Sequence, residues 1–499
     1  MVFSSLIFMW IFFPIVFLLG RLIQKPKHQN ILLLIASLFF YAWGEPAYFL
    51  LLLVSIALNY LIGFAMGSRP STACTQDRTA SVSTSIGSSI SKDAVSNIDT
   101  RRKLFLILGI ICDLGILGYF KYSNFFLNTI DHLIPGISLP RTDIALPLGI
   151  SFFTFQELSY LIDLYRGRFP VQKDLFDFAL YVSFFPKLIQ GPIVMYRDFE
   201  KELRVRTQTS EKTAEGIRRF IFGLGKKVLI ADVLGISADK LFALDPSGMT
   251  PLAAWCAAFF YTMQIYYDFS GYSDMAVGIG KMFGFTITEN FDYPYLSSSI
   301  REFWRRWHIT LGAWFRDFLY IPLGGNRKGR VRTYINLLIV FAATGLWHGA
   351  SWNFVGWGLY HGFFIVIERM GFDKFLKKHK VFSHIYAFFI VMIGWVFFRA
   401  GSISSAIGIV KKMFGLGGAA VISSMEMGKM INARTMITAA VATLGCGIMQ
   451  ALFTKIKLAD RSERFRMSVP EAVFCCCVLV LSIAALAGST SNSFIYFKF

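Results

Sequence analysis

Apolar residues recur along this 499-residue chain in blocks of about 17 to 25, long enough to cross hydrocarbon as helices. In lipid such blocks must be helical, because hydrocarbon offers backbone N–H and C=O groups no partner outside their own segment. The first block, Ser4 to Gly20, lacks a basic start and a small-residue cleavage site, so it reads as a retained span and not a signal peptide. A second runs from about Ile31 to Trp43, the chain turns at Gly44-Glu45-Pro46, and a third continues to about Met66. Further blocks fall near 104–120, 144–165, 176–196, 216–236, 251–267, 333–347, 351–368, 382–399, 433–453 and 471–488. The pattern predicts an all-α polytopic membrane protein of about 11–13 transmembrane or re-entrant helices, forming a single membrane domain over 1–499.

The polar intervals set the topology. Arg21, Lys25 and Lys27 follow the first block, and Arg69, Arg78, Lys92, Arg101, Arg102 and Lys103 follow the third. Basic loops stay in the cytoplasm, so the N-terminus is expected on the extracytoplasmic side. Residues 68–100 are rich in Ser and Thr and carry no apolar period, which predicts a solvated, disordered cytoplasmic loop.

Composition agrees with this reading and removes its rivals. Charged residues make up 16% of the chain against about 25% in an ordinary globular domain. Fifty-two Phe residues exceed what a water-soluble surface absorbs, which excludes a soluble enzyme and a disordered chain. The net charge of +19 would suggest nucleic acid in a soluble protein; here basic loops against anionic headgroups account for it, and no nucleic-acid partner is expected. Seven cysteines, most of them inside apolar blocks, give no disulfide framework.

Chemistry narrows to three of the seven histidines. His28 and His379 sit among lysines, and His132 and His384 at block edges. His308, His348 and His361 lie in Trp-rich surroundings, where an ionisable group is costly unless it has work to do. His348 stands in Gly345-Leu346-Trp347-His348-Gly349-Ala350-Ser351-Trp352, with small residues that leave room for a substrate and Trp rings that restrict water. A neutral imidazole there can take a proton from a hydroxyl. The same setting suits a core histidine bonded to a carbonyl, and the spacing leaves both open.

Between Arg301 and Tyr320, Trp304, Trp307, Leu311, Trp314 and Phe318 recur at helical spacing, while Arg301, Arg305, His308 and Gly312 fall on a different face. One helix with an apolar stripe and a cationic strip follows. An interfacial helix explains it, and so does a strip that receives an anion such as the phosphates of coenzyme A. The turn Pro322-Leu323-Gly324-Gly325-Asn326-Arg327-Lys328-Gly329 presents amides and charge to phosphate or simply sets topology. Tyr266 to Asp274, including Asp268, lines a cavity or caps a broken helix, with the structural role favoured. Neither a GxSxG turn nor HExxH spacing is present, so no metal is expected and direct transfer to an acceptor hydroxyl is the simplest chemistry. A transporter or channel relaying protons through the same His and Asp residues is the alternative from another class.

At these motifs the sequence resembles the membrane-bound O-acyltransferase superfamily. It is most like the alginate O-acetyltransferase membrane subunit and related bacterial polysaccharide O-acetyltransferases. The resemblance rests on Leu148 to Gln156, Tyr160 to Gly167, Tyr267 to Met275, Asn290 to Tyr295, Phe303 to Ile309, Trp314 to Asp317, Ile321 to Arg327 and Trp347 to Trp352. It implies that His348 is catalytic within a channel through the membrane, and that His308 is a second signature histidine on its cytoplasmic side. Arg301, Arg305, Trp347, Asp268 and Asn290 are the candidate substrate-binding residues, with Arg301 and Arg305 placed to steer an anionic donor. The reaction implied is acetyl transfer from a cytoplasmic thioester, acetyl-CoA, to an extracytoplasmic polysaccharide such as alginate. No bound cofactor is implied. The expected location of this protein is the bacterial inner membrane, and a separate extracytoplasmic acetyltransferase of the SGNH type is the expected partner. D-alanyl transfer to teichoic acid from a carrier protein is the alternative within the family.

Overall fold

The computed structural model describes residues 1–67, 92–134, 140, 144–418, 423–448, 468–488 and 494. Among them the regular structure is helical, with one isolated antiparallel bridge between Phe291 and Trp307 and no strand. Two compact units emerge: a smaller one, Leu19–Ile189 with Val194–Arg206, and a larger one, Met1–Leu18, Gln190–Ile193 and Thr207–Phe499.

The smaller unit holds α1 (Pro26–Gly44), α2 (Phe49–Met66), α3 (Lys92–Leu117), α4 (Ile150–Tyr165) and α5 (Leu175–Ser183). Pro26 opens α1, where its missing N–H costs nothing. Nearly every residue of α4 is buried, including polar ones, and contacts between helices of this unit engage several of them and its last carbonyls. Ser55 Oγ donates to Glu157 at 2.7 Å, and Arg102 donates to the Leu164 carbonyl at 2.8 Å. Lys187 Nζ lies 2.5 Å from Gln156 Oε1 and 3.9 Å from the Tyr181 ring centroid. Two expectations change here. The apolar block near 176–196 is not one helix: α5 stops at Ser183, a short turn Phe185–Leu188 contains Pro186, and helix resumes at Tyr196. A proline ring and the restriction it puts on the preceding residue account for the interruption. Residues 92–100, assigned to the Ser-rich loop, form the first turns of α3, because extending an existing helix is cheaper than starting one. The rest of that loop, 68–91, lies outside the described residues.

The larger unit contains α6 (Ser210–Gly225), α7 (Asp232–Phe242), α8 (Pro251–Met282), α9 (Ile300–Arg306), α10 (Ile309–Phe315), α11 (Arg330–His348), α12 (Trp352–Ile367), α13 (Lys380–Arg399), α14 (Ala433–Ile448) and α15 (Val469–Ala487). At 32 residues, α8 is about 48 Å long and is buried almost all round from Tyr261 onward. Thr250 caps it by accepting from the Ala253 amide at 3.0 Å. Two glycine pairs join it to α6. A Cβ on Gly216 would sit 2.5 Å from the Gly278 carbonyl oxygen, and one on Gly223 would sit 2.6 Å from that of Gly271. Both pairs step seven residues along both helices, so the backbones meet along a seam that no larger residue fits. The run Tyr266 to Asp274 therefore lies inside an unbroken helix and caps nothing.

Four helical stretches among the described residues are long and apolar enough to cross a membrane: Pro46–Met66, Asp99–Leu133, Lys380–Arg399 and Val469–Ala487. Large apolar side chains stand exposed on such helices, Leu61 at 61% and Leu481 at 58%, as lipid-facing positions do.

Candidate active site

The helix expected over 301–320 breaks in two at His308. Its backbone is left-handed, φ 46° and ψ 53°, a conformation that costs a non-glycine residue about 1–2 kcal/mol. The segment 290–292 runs antiparallel along the break and takes up the groups it frees. The Asn290 carbonyl accepts from the Ile309 amide at 3.0 Å, and the Asp292 amide donates to the Arg306 carbonyl at 2.9 Å. Asn290 Oδ1 accepts from the Thr310 amide at 3.2 Å and the Thr310 hydroxyl at 2.9 Å. Strain of this kind persists only where surrounding structure over-determines it, and it gathers at functional sites.

The same oxygen lies 3.1 Å from His308 Nδ1. A backbone amide can only donate, so the atom it meets is the Asn290 oxygen, and Nδ1 must carry the proton. Nε2 is then the basic nitrogen. It is buried and has no hydrogen-bond partner among the described residues. His308 sits between two seven-residue helices too short to span a bilayer, and burial pushes its imidazole down to about 3, so the ring is neutral at physiological pH.

His308 lines a cavity of about 450 Å³ in the larger unit, bounded by α9, α10, α11 and α12. Leu337, Val340, Phe341 and Thr344, one face of α11, supply an apolar wall. Arg301, Arg305, Arg316 and Arg369 also line it and are solvent-exposed, whereas His308 is buried. Arg305 and Arg369 have no carboxylate within ion-pair distance among the described residues, while Arg316 pairs with Asp317 at 2.9 Å. The expected strip Arg301, Arg305, His308 and Gly312 is thus brought to one cavity, but Trp304 and Leu311 line it too. The break at His308 turns α10 relative to α9, so the two faces of a straight helix no longer apply. Asn326 of the glycine-rich turn also reaches the cavity, while Gly324 and Gly325 hold that turn with φ of 102° and 54°.

His348 ends α11, its ring centroid 6.5 Å from that of His308. It is enclosed by Trp347 at 4.9 Å, Trp357 at 5.2 Å and Phe398 at 5.3 Å. Its position depends on tight contact between α11 and α12. A Cβ on Gly345 would lie 2.1 Å from the Phe354 carbonyl oxygen, and one on Gly358 2.1 Å from that of Phe341. The Trp347 ring lies 6.0 Å from His308. His361 is fully buried against Trp304 and Trp357 at 5.1 and 5.3 Å. Asp268 is absent from the cavity lining. It is buried in α8 in an ion pair with Lys227 Nζ at 2.7 Å, which also meets Asp232 at 2.8 Å. Asn290 does not line the cavity either; it stands behind His308 and orients it.

Sequence reasoning missed Arg316, Tyr320 and Arg369. Arg316 and Tyr320 bound a wide π-helical turn, and Arg369 lies in a second one, Glu368–Phe372. Such turns are frequent at functional sites but leave no mark in apolar periodicity. Arg369 does follow Ile365 at helical spacing, and both line the cavity.

A helical protein that lines a cationic cavity with a buried neutral imidazole has parts that an acyltransferase in a membrane can use, and the comparisons with known proteins decide the class. The chain belongs to the membrane-bound O-acyltransferase (MBOAT) family, whose sequence profile matches residues 168–405. It is 42% identical to a Pseudomonas aeruginosa protein named as a probable alginate O-acetylase, AlgI, over 84% of this chain and 75% of that one. It is 32% identical to the peptidoglycan O-acetyltransferase of Helicobacter pylori over 100% of this chain and 98% of that one. It is 30% identical to the teichoic acid D-alanyltransferase of Bacillus subtilis over 47% of this chain and 61% of that one. Membership makes the chain a multi-pass membrane enzyme, an acyltransferase rather than a transporter or channel.

Proposed function

We propose that this protein moves an acetyl group from acetyl-CoA, bound on the cytoplasmic side, into O-acetylation of an extracytoplasmic polysaccharide. The cell is bacterial, the membrane the inner one, and the N-terminus extracytoplasmic. The observation that carries the reading is the cavity lined by exposed guanidinium groups and by His308, whose Nε2 has no hydrogen-bond partner among the described residues; His348 does not line the cavity but lies behind His308, the two ring centroids 6.5 Å apart. Guanidinium groups suit phosphate, and the apolar wall of α11 suits a pantetheine arm. A thioester is already activated, so the protein has to orient an acceptor hydroxyl, take its proton and hold the oxyanion. His348 acts as the base. The hydroxyl oxygen bonds to the thioester carbon, the C–S bond breaks, and the thiolate leaves as coenzyme A after taking up the proton. His308 assists through Nε2, held in its tautomer by Asn290.

The AlgI and peptidoglycan relatives support a polysaccharide acceptor. An extracytoplasmic SGNH-type partner, expected from the family resemblance, completes delivery to it in this reading. The D-alanyltransferase likeness covers less of the chain and supports D-alanyl transfer from a carrier protein as the second reading. Inside-out vesicles given radiolabelled acetyl-CoA test the first. Label passing to lumenal glycan in the wild type, and not in His348→Ala, is expected. Labelling only from a D-alanyl-loaded carrier protein would replace it with the second.

A further inference from the structure

The π-helical turn that follows α12, Glu368–Phe372, carries two adjacent residues that act on the cavity in different ways. Glu368 is buried at 2% exposure, and both its oxygens are spent on the start of α9: Oε1 accepts from the Ile300 amide at 2.6 Å and Oε2 from the Arg301 amide at 3.0 Å. These amides belong to the first turn of a helix, which has no internal acceptors for them and carries the positive end of the helix dipole. A carboxylate from a distant helix therefore fixes the segment that presents Arg301 and Arg305. Arg369 comes next in the chain, and the wide turn Glu368–Phe372, ended by Gly371 at φ 135°, sends it the other way. Its side chain lines the cavity with Arg301 and Arg305 and has no ion-pair partner among the described residues.

We propose that Arg369 binds the anionic, phosphate-bearing end of the thioester donor, and that Glu368 is the positioning residue that holds the Arg301–Arg305 strip in register with it. The inference rests on the acetyl-CoA reading above and extends it to a donor contact on the turn after α12. Three guanidinium groups from two elements can be matched to a phosphorylated arm only if the elements keep a fixed separation, and the Glu368 bridge supplies that constraint.

The test compares two donors on the full-length protein in proteoliposomes: acetyl-CoA, and acetyl-pantetheine, which has the thioester and no phosphate. For Arg369→Ala, KM for acetyl-CoA should rise about tenfold with kcat within about twofold, while kcat/KM for acetyl-pantetheine stays at the wild-type value. Arg369→Lys should recover part of the loss. Glu368→Gln, which keeps the shape and removes the charge, should raise KM for acetyl-CoA several-fold and again spare acetyl-pantetheine. Equal losses with both donors would mean a general structural role and overturn the proposal. Wild-type kinetics in Arg369→Ala would overturn it while leaving the acetyl-CoA reading intact. Failure of the wild type to use or bind acetyl-CoA would overturn both.

Discussion

His308 and Asn290, eighteen residues apart in the chain, meet side chain to side chain at 3.1 Å, and that contact decides which nitrogen of the imidazole is basic. Asn290 has no freedom to present its amide group instead, because the Thr310 backbone amide donates to the same oxygen at 3.2 Å. A left-handed histidine, a buried asparagine and a short antiparallel crossing are therefore one device, which aims Nε2 and leaves it basic.

Replacing Asn290 by Ala should remove that control. Loss of the partner that orients a metal-ligating histidine lowers activity about 10–100-fold, and a fall on that order is expected for this orienting contact. Transfer assayed in vesicles should fall by that amount while the protein still accumulates in the membrane. Activity unchanged in Asn290→Ala would mean that the tautomer of His308 is immaterial.

The pH profile follows from the same contact. Burial holds the wild-type imidazole near 3, so protonation of His308 takes no activity away between pH 7 and pH 5. Asn290→Asp sets a carboxylate against Nδ1, favours the imidazolium and raises its pKa, by about 1–3 pH units on the usual scale for a neighbouring opposite charge. Activity that needs the neutral ring should then fail at the acidic end first, with the limb shifted upward in pH. A profile identical to the wild type would count against a role for the neutral ring.

His348→Ala should reduce transfer by about 100- to 10,000-fold, the range for a lost general base, with membrane accumulation unchanged. Near-normal acetylation in this variant would remove His348 from the chemistry.

Gly358→Ala places a methyl group 2.1 Å from the Phe341 carbonyl and must push α12 off α11. Overpacking of this sort costs about 1–3 kcal/mol. The melting temperature in detergent should fall, and activity should fall further than the loss of folded protein explains, because His348 ends α11.

Asp268→Ala leaves Lys227 buried with one of its two carboxylates gone, and breaking such a pair costs about 3–5 kcal/mol. The double variant Lys227→Met with Asp268→Leu should recover most of that stability. If it also recovers transfer, Asp268 serves the fold; if the stable double variant stays inactive, Asp268 has a role in the reaction that its packing does not reveal.

What the sequence settled by itself is the solvent of this protein and the direction of its chemistry. Apolar blocks and 52 Phe residues require lipid-facing helices, since hydropathy is additive along a chain and independent of packing. The spacing of Arg301, Arg305, His308 and Gly312 likewise pointed to one surface, because neighbours three and four apart share a helix face wherever the helix goes. The tertiary structure decided the rest, since each remaining point depends on a partner far away in sequence. Asn290 breaks the helix at His308; Lys227, forty-one residues before Asp268, takes that carboxylate out of the candidate site. Arg369 joins Arg301 because Glu368 ties two helices together across sixty-eight positions. Periodicity reports which way a side chain leaves its own helix, and only the folded chain supplies what it meets there.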